Sequence, residues 1–131
     1  GAMAAAAIVE MAGGSPAEAE NAASLALQAF TGMPCDPIPG GICQPCRSRI
    51  IATTCMAHVF ADLAMGGHEA VLPLHEAVDV ADGIGRALPP ELLCTSEGGC
   101  CAAPAAQARR AEYRRWFDES RPEDRPPGNL I

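Results

Sequence analysis

Between Met3 and Met11 the chain is apolar at nearly every position, the pattern of a helix buried on most sides, and Gly13-Gly14 ends it. Ser15-Pro16-Ala17-Glu18 follows, with an N-cap serine, a proline at the first helical position and a glutamate three residues after the cap. This capping box predicts a second helix over Pro16 to Phe30, amphipathic through Ala23, Leu25, Leu27 and Phe30. Thr31 to Gln44 (TGMPCDPIPGGICQ) carries three prolines and three glycines, so no regular element persists there. A third helix is expected from Cys46 to Met65, offering Ile50, Ile51, Met56, Val59, Phe60 and Leu63 to a core, and Gly66-Gly67 stops it. After a link from His68 to Pro73, Leu74 to Leu88 reads as a fourth helix with acids in its first half and Arg86 near its end, as the helix dipole favours.

Pro89-Pro90 closes that helix, and Glu91 to Cys101 (ELLCTSEGGCC) reads as a short turn and a second glycine-containing loop. A terminal helix over 105–118 places Arg109, Arg110, Arg114 and Arg115 beside Tyr113, Trp116 and Phe117. Residues 119–131 are too rich in proline and charge to pack and are expected to be a flexible tail. The expectation is an all-α, compact helical domain of about five helices with a cysteine-bearing Pro/Gly loop.

Composition sharpens this. Hydrophobic residues make up 49% of the chain and aromatics 4%, so a core must come from small and aliphatic side chains, which suits closely packed helices better than a sheet. The 131 residues fit one domain, and a chain of this length buries roughly 70% of its unfolded surface, enough to fold without disulfides. A net charge of -7 is the wrong sign for a partner of nucleic acid. No apolar run reaches the roughly 18 residues of a membrane span, and the N-terminal stretch lacks the basic residues of a signal peptide. A cytoplasmic protein is expected.

The seven cysteines, Cys35, Cys43, Cys46, Cys55, Cys94, Cys100 and Cys101, are odd in number, which weakens a disulfide framework and leaves metal binding or packing. Three of them fall in the twelve residues from Cys35 to Cys46, where non-helical backbone can turn thiols toward one point. Cys43-Gln44-Pro45-Cys46 is a CxxC pair, but a closed zinc site needs a second pair, and the adjacent Cys100-Cys101 is poorly spaced for one. His58, His68 and His75 have no metal-ligand partner at helical spacing. Glu97-Gly98-Gly99 after Thr95-Ser96 is either a turn or a loop whose backbone N–H groups approach an anion. The arginines of the terminal helix fit an acidic partner or, more simply, a solvated face.

Taken together, MPCDPIPGGICQPCRSR and LPPELLCTSEGGCCAAP resemble the C-terminal part of the alpha domain or subunit of iron-sulfur-dependent L-serine dehydratases (L-serine ammonia-lyases). Cys35-Asp36-Pro37 opens the family-like loop, Pro45-Cys46 closes it eleven positions later, Arg49 falls on the family arginine, and Thr95-Ser96-Glu97-Gly98-Gly99 matches the downstream segment. The resemblance covers 3–104. It implies an all-helical domain in which Cys35 and Cys46 bind a 4Fe-4S cluster. Asp36, Gly98 and Gly99 lie around the cofactor, and Arg49, Thr95 and Ser96 are candidates for catalysis. The implied reaction converts L-serine to pyruvate and ammonia.

The family's third cluster cysteine would precede residue 1, Ile50 replaces its asparagine, and Cys43, Cys94, Cys100 and Cys101 are additions. Two readings follow. In one, the chain is a fragment or split subunit, inactive alone, whose partner chain supplies the missing alpha and beta portions. In the other, Cys43, Cys100 or Cys101 replaces the absent ligand. Assembly of identical copies is open. The rival reading from another class is a non-catalytic helical interaction module with zinc-binding or merely packed cysteines.

Overall fold

The computed structural model describes residues 1–38 and 44–119. Six α-helices form among them: α1 (Ala2–Met11), α2 (Pro16–Phe30), α3 (Gln44–Cys55), α4 (Ala57–Met65), α5 (Leu74–Ala87) and α6 (Pro104–Glu119). Two 3-10 turns, Pro90–Leu92 and Gly99–Ala102, lie between α5 and α6. The described residues contain no strand, so the all-α expectation holds. The expected third helix is divided at Met56, although its amide still donates to the Ala52 carbonyl at 2.9 Å. Cys43, the tail beyond Glu119, and the side chains of Tyr113, Arg114, Trp116 and Phe117 lie outside the described set.

The chain divides into two compact units. The first, Gly1–Met33 with Arg49–Leu88, is built on alanine. Ala5 and Val9 of α1, Ala22 and Ala26 of α2, and Ala57, Phe60, Ala61 and Ala64 of α4 form its core. The α4 positions follow the i, i+3, i+4, i+7 stripe of a helix buried along one face. Phe30 and Phe60 supply the bulk, meeting edge to face with ring centroids 5.8 Å apart.

Two expectations are corrected here. Helix α1 is buried along one stripe only, with Met3 and Met11 exposed. Of the six large residues offered by the expected third helix, Phe60 alone enters the core; Ile50, Ile51, Met56, Val59 and Leu63 are exposed. The physical reason is steric. Alanine faces let helix axes approach closely, and the same approach excludes branched side chains from the contact.

The capping box forms as read: the Glu18 amide donates to Ser15 Oγ (3.3 Å), and the Ser15 amide donates to the Glu18 carboxylate (2.7 Å). A feature not read from the sequence is a polar stripe on α2. Asn21 accepts from the Ala70 amide (2.8 Å) and donates to the His68 carbonyl (2.7 Å), while Ser24 Oγ donates to the Leu72 carbonyl (2.7 Å). Gln28 donates to Ser24 Oγ (2.8 Å) and to the same carbonyl (3.2 Å). Residues 21, 24 and 28 share one helix face, so together they tie down the irregular 68–72 link.

The second unit comprises Pro34–Ser48 and the segment from Pro89. Its core is small: Ile38, Cys101 and Ala106. Polar contacts carry much of its organisation.

Candidate functional site

Pro34 and Pro37 keep the segment between them extended, so its backbone groups need partners outside a helix. Cys35 finds them on the Leu92–Cys94 segment. Its amide donates to the Leu92 carbonyl (2.8 Å) and its carbonyl accepts from the Cys94 amide (2.6 Å), forming one parallel bridge between Cys35 and Leu93. The two loops singled out in the sequence are thereby joined within the second unit.

Asp36 reinforces the junction. It is fully buried, and its carboxylate accepts from the Cys100 amide at 2.6 Å. That amide lies 64 residues further along the chain. Gly99 permits this approach. Its φ is +65°, and a Cβ there would run into the Asp36 carboxylate and lie 2.8 Å from Asp36 Cβ. Gly98 donates to the Glu91 carbonyl (3.0 Å), and Thr95 Oγ1 donates to that carbonyl (3.0 Å) while accepting from the Glu97 amide (3.3 Å). Thr95, Gly98 and Gly99 therefore build the loop. Cys94 and Ser96, at φ of 64° and 62°, are the two non-glycine residues in left-handed backbone among the described residues.

The thiols differ in their surroundings. None of the described cysteines is in a disulfide. Cys101 is buried, its Sγ donates to the Gly98 carbonyl (2.7 Å), and its pKa is raised by burial first and by the Asp36 charge second. It is a packing residue. Cys35 is exposed overall, and its pKa is pushed up to about 12, chiefly by a hydrogen bond shared with the Cys94 side chain. Partial desolvation follows, then repulsion from Cys46 and Cys94, and last a hydrogen bond with the Cys46 side chain. Cys46 is half-buried near the start of α3, and Cys94 is exposed. Neighbouring thiols disfavour bare thiolates, because each negative sulfur raises the cost of the next.

The structure brings Cys35, Asp36, Cys46, Thr95, Ser96, Gly98 and Gly99 into one unit. Arg49, a helical turn past Cys46 on α3, is half-buried and belongs to the first unit. Cys94, whose amide is bound to the Cys35 carbonyl, was not among the expected site residues. Among the described residues, no three His, Cys, Asp or Glu side chains form a ready cage for a single metal ion, and all three histidines are exposed. The first unit holds a separate open cleft of about 550 Å³, lined in part by Glu20, Asn21, Glu69, Val71 and Leu74.

Fold and loops together define a class, a helical protein whose irregular loops gather thiols beside a buried carboxylate. Within that class, the chain belongs to the serine dehydratase alpha chain family, whose sequence model matches residues 1–101. It is similar to "Probable L-serine dehydratase, alpha chain" of Bacillus subtilis, 38% identical over 105 residues, covering 80% of this chain and 35% of the relative. It is also similar to "L-serine dehydratase, alpha chain" of Peptoniphilus asaccharolyticus, 37% identical over 112 residues, covering 86% of this chain and 38% of the relative. A third relative, "Probable L-serine dehydratase, alpha chain" of Latilactobacillus sakei, is 34% identical over 111 residues, covering 85% and 53%. The chain thus spans about a third of the length of the first two curated relatives. No solved structure matches it.

Proposed function

We propose that this chain is part of an iron-sulfur L-serine ammonia-lyase, in which Cys35 and Cys46 hold a 4Fe-4S cluster and a further portion of the enzyme completes the active site. The observation that carries the reading is the family match over residues 1–101, which contains both Cys35 and Cys46, two residues of the second unit. Their chemistry fits, because thiolates suit soft iron and a Pro/Gly loop can present them from irregular backbone. When bound, such a cluster supplies a Lewis acid that makes the serine hydroxyl a better leaving group. Loss of the α proton and the hydroxyl leaves an enamine, which takes up water to give pyruvate and ammonia.

The chain's own residues have distinct tasks in this reading. The buried Asp36 carboxylate holds the Gly99–Cys100 backbone against the cysteine loop, so it positions the ligands rather than reacting. Thr95 and Gly98 fix the turn that carries Ser96. Arg49 is the candidate for the serine carboxylate, since a guanidinium pairs with a carboxylate through two parallel hydrogen bonds.

Anaerobic reconstitution with iron and sulfide tests the reading. Iron and acid-labile sulfide should bind in comparable amounts, with a visible chromophore, and both should be lost in Cys35→Ser and Cys46→Ser. Stoichiometric zinc without a chromophore would instead make the chain a zinc-binding helical module.

A further inference from the structure

We propose that Gln107, near the start of α6, is a positioning residue of the candidate site: its side-chain amide anchors the Gly99–Ala102 turn, and that turn holds the cysteine loop through Asp36. The inference rests on the cluster reading given above and deepens it. Gln107 lies beyond residues 1–101, the segment matched by the family model. The chemistry starts at a proline. In a 3-10 turn each carbonyl accepts from the amide three residues on, and the residue three past Cys101 is Pro104, which has no N–H to give. Gln107 supplies a donor instead, its Nε2 meeting the Cys101 carbonyl at 2.6 Å.

The turn is therefore held from both ends. At its start the Cys100 amide donates to the Asp36 carboxylate (2.6 Å), and at its end the Cys101 carbonyl accepts from Gln107. Between these bonds the Cys100 carbonyl accepts from the Ala103 amide (3.2 Å), and the Cys101 thiol donates to the Gly98 carbonyl (2.7 Å). Apolar packing brings α6 to this place. Ala106, the residue before Gln107, is buried with Cys101 and with Ile38, two positions past Asp36. The Gln107 amide donates to the Ala103 carbonyl (3.0 Å), which fixes its backbone in the first turn of α6. The influence of Gln107 on the Cys35 loop runs through the turn and through Asp36, the residue that follows Cys35.

The test uses the full 131-residue chain. Gln107→Met and Gln107→Glu keep a side chain of similar length but offer no N–H at neutral pH, whereas Gln107→Lys keeps a donor. These residues have similar helix propensities, so the comparison reports the hydrogen bond and not the stability of α6. Amide hydrogen exchange resolved by nuclear magnetic resonance, before reconstitution, follows the Cys100 amide, with the Phe60 amide of the first unit as control. Anaerobic reconstitution with iron and sulfide, then a chelator challenge, reads the rate of iron release. In the Met and Glu variants the Cys100 amide should exchange roughly threefold to tenfold faster than in wild type, and iron should leave faster as well. The Lys variant should stay close to wild type, and Phe60 should be unchanged throughout. Wild-type exchange at Cys100 in the Met and Glu variants, or a loss of protection in Lys equal to theirs, would overturn the anchoring of the turn by Gln107. Faster exchange with wild-type iron release would overturn its effect on the cysteine loop. Each of these results leaves the cluster reading standing. Failure of the wild type itself to take up iron and sulfide would overturn that reading and the positioning role together.

Discussion

A single hydrogen atom in place of a methyl group at residue 99 allows Asp36 and Cys100 to meet. In Gly99→Ala the added Cβ would collide with the Asp36 carboxylate, on a backbone of φ +65° that already disfavours alanine. The expected cost is about 1–3 kcal/mol, borne locally by the second loop. Alkylation of Cys101 should report it: the buried thiol should be protected in the native wild type and labelled readily in the variant. The pH dependence has a definite sign. Burial, and then the Asp36 charge, raise the Cys101 pKa above the ordinary 9.0, so its thiolate becomes available only at higher pH than that of an exposed cysteine. Asp36→Asn should shift labelling of Cys101 toward lower pH without bringing it to the exposed rate, because burial, the larger cause, remains. Labelling at the exposed rate in native wild type would overturn this account.

At the scale of elements, α2 is held by two polar devices that can be tested separately. The Ser15 backbone bond, and then the Ser15 side chain, hold the Glu18 carboxyl below the ordinary 4.5. A depressed carboxyl pKa stabilises the folded state above the unfolded value, and that contribution is lost as pH falls through the folded value. Ser15→Ala should therefore lower the melting temperature by a few degrees at neutral pH and weaken the dependence of stability on pH below about 4.5. An identical acid profile in the variant would refute the assignment. Asn21→Ala should cost about 1–3 kcal/mol in urea denaturation, because the His68 carbonyl and Ala70 amide lose their side-chain partner. The capping box was legible because its chemistry is local, spanning Ser15 to Glu18. The Asn21, Ser24, Gln28 stripe was not, since its partners lie more than forty residues away. The long apolar run from Ile50 to Leu63 misled for a related reason: hydrophobicity grades Ile above Ala, whereas the α4 contact selects for small size at Ala57, Ala61 and Ala64. Cys35 and Cys46 could be singled out through the family resemblance, but the bridge that sets Cys35 against Leu93 is encoded by no local pattern.

At the scale of the whole molecule, the proposed lyase can draw only on the residue types this chain holds. The chain offers thiols, a buried carboxylate and an arginine on α3, while its nine basic residues are all arginine, leaving no lysine amine to accept a proton from the serine α carbon. The three histidines are exposed. Large apolar side chains are exposed in the first unit, with Ile50 at 64%, Ile51 at 57% and Val78 at 50%. The proposed function accordingly takes the base and the substrate pocket from the remaining portion of the enzyme. The purified chain, reconstituted and mixed with L-serine, should therefore give no more pyruvate than a protein-free control in an assay coupled to lactate dehydrogenase. Adding the remaining alpha and beta portions of a family relative should produce turnover that depends on Cys35 and Cys46. Sustained pyruvate release by the chain alone would show that both the proton acceptor and the substrate pocket already reside within it, and would overturn this division of labour.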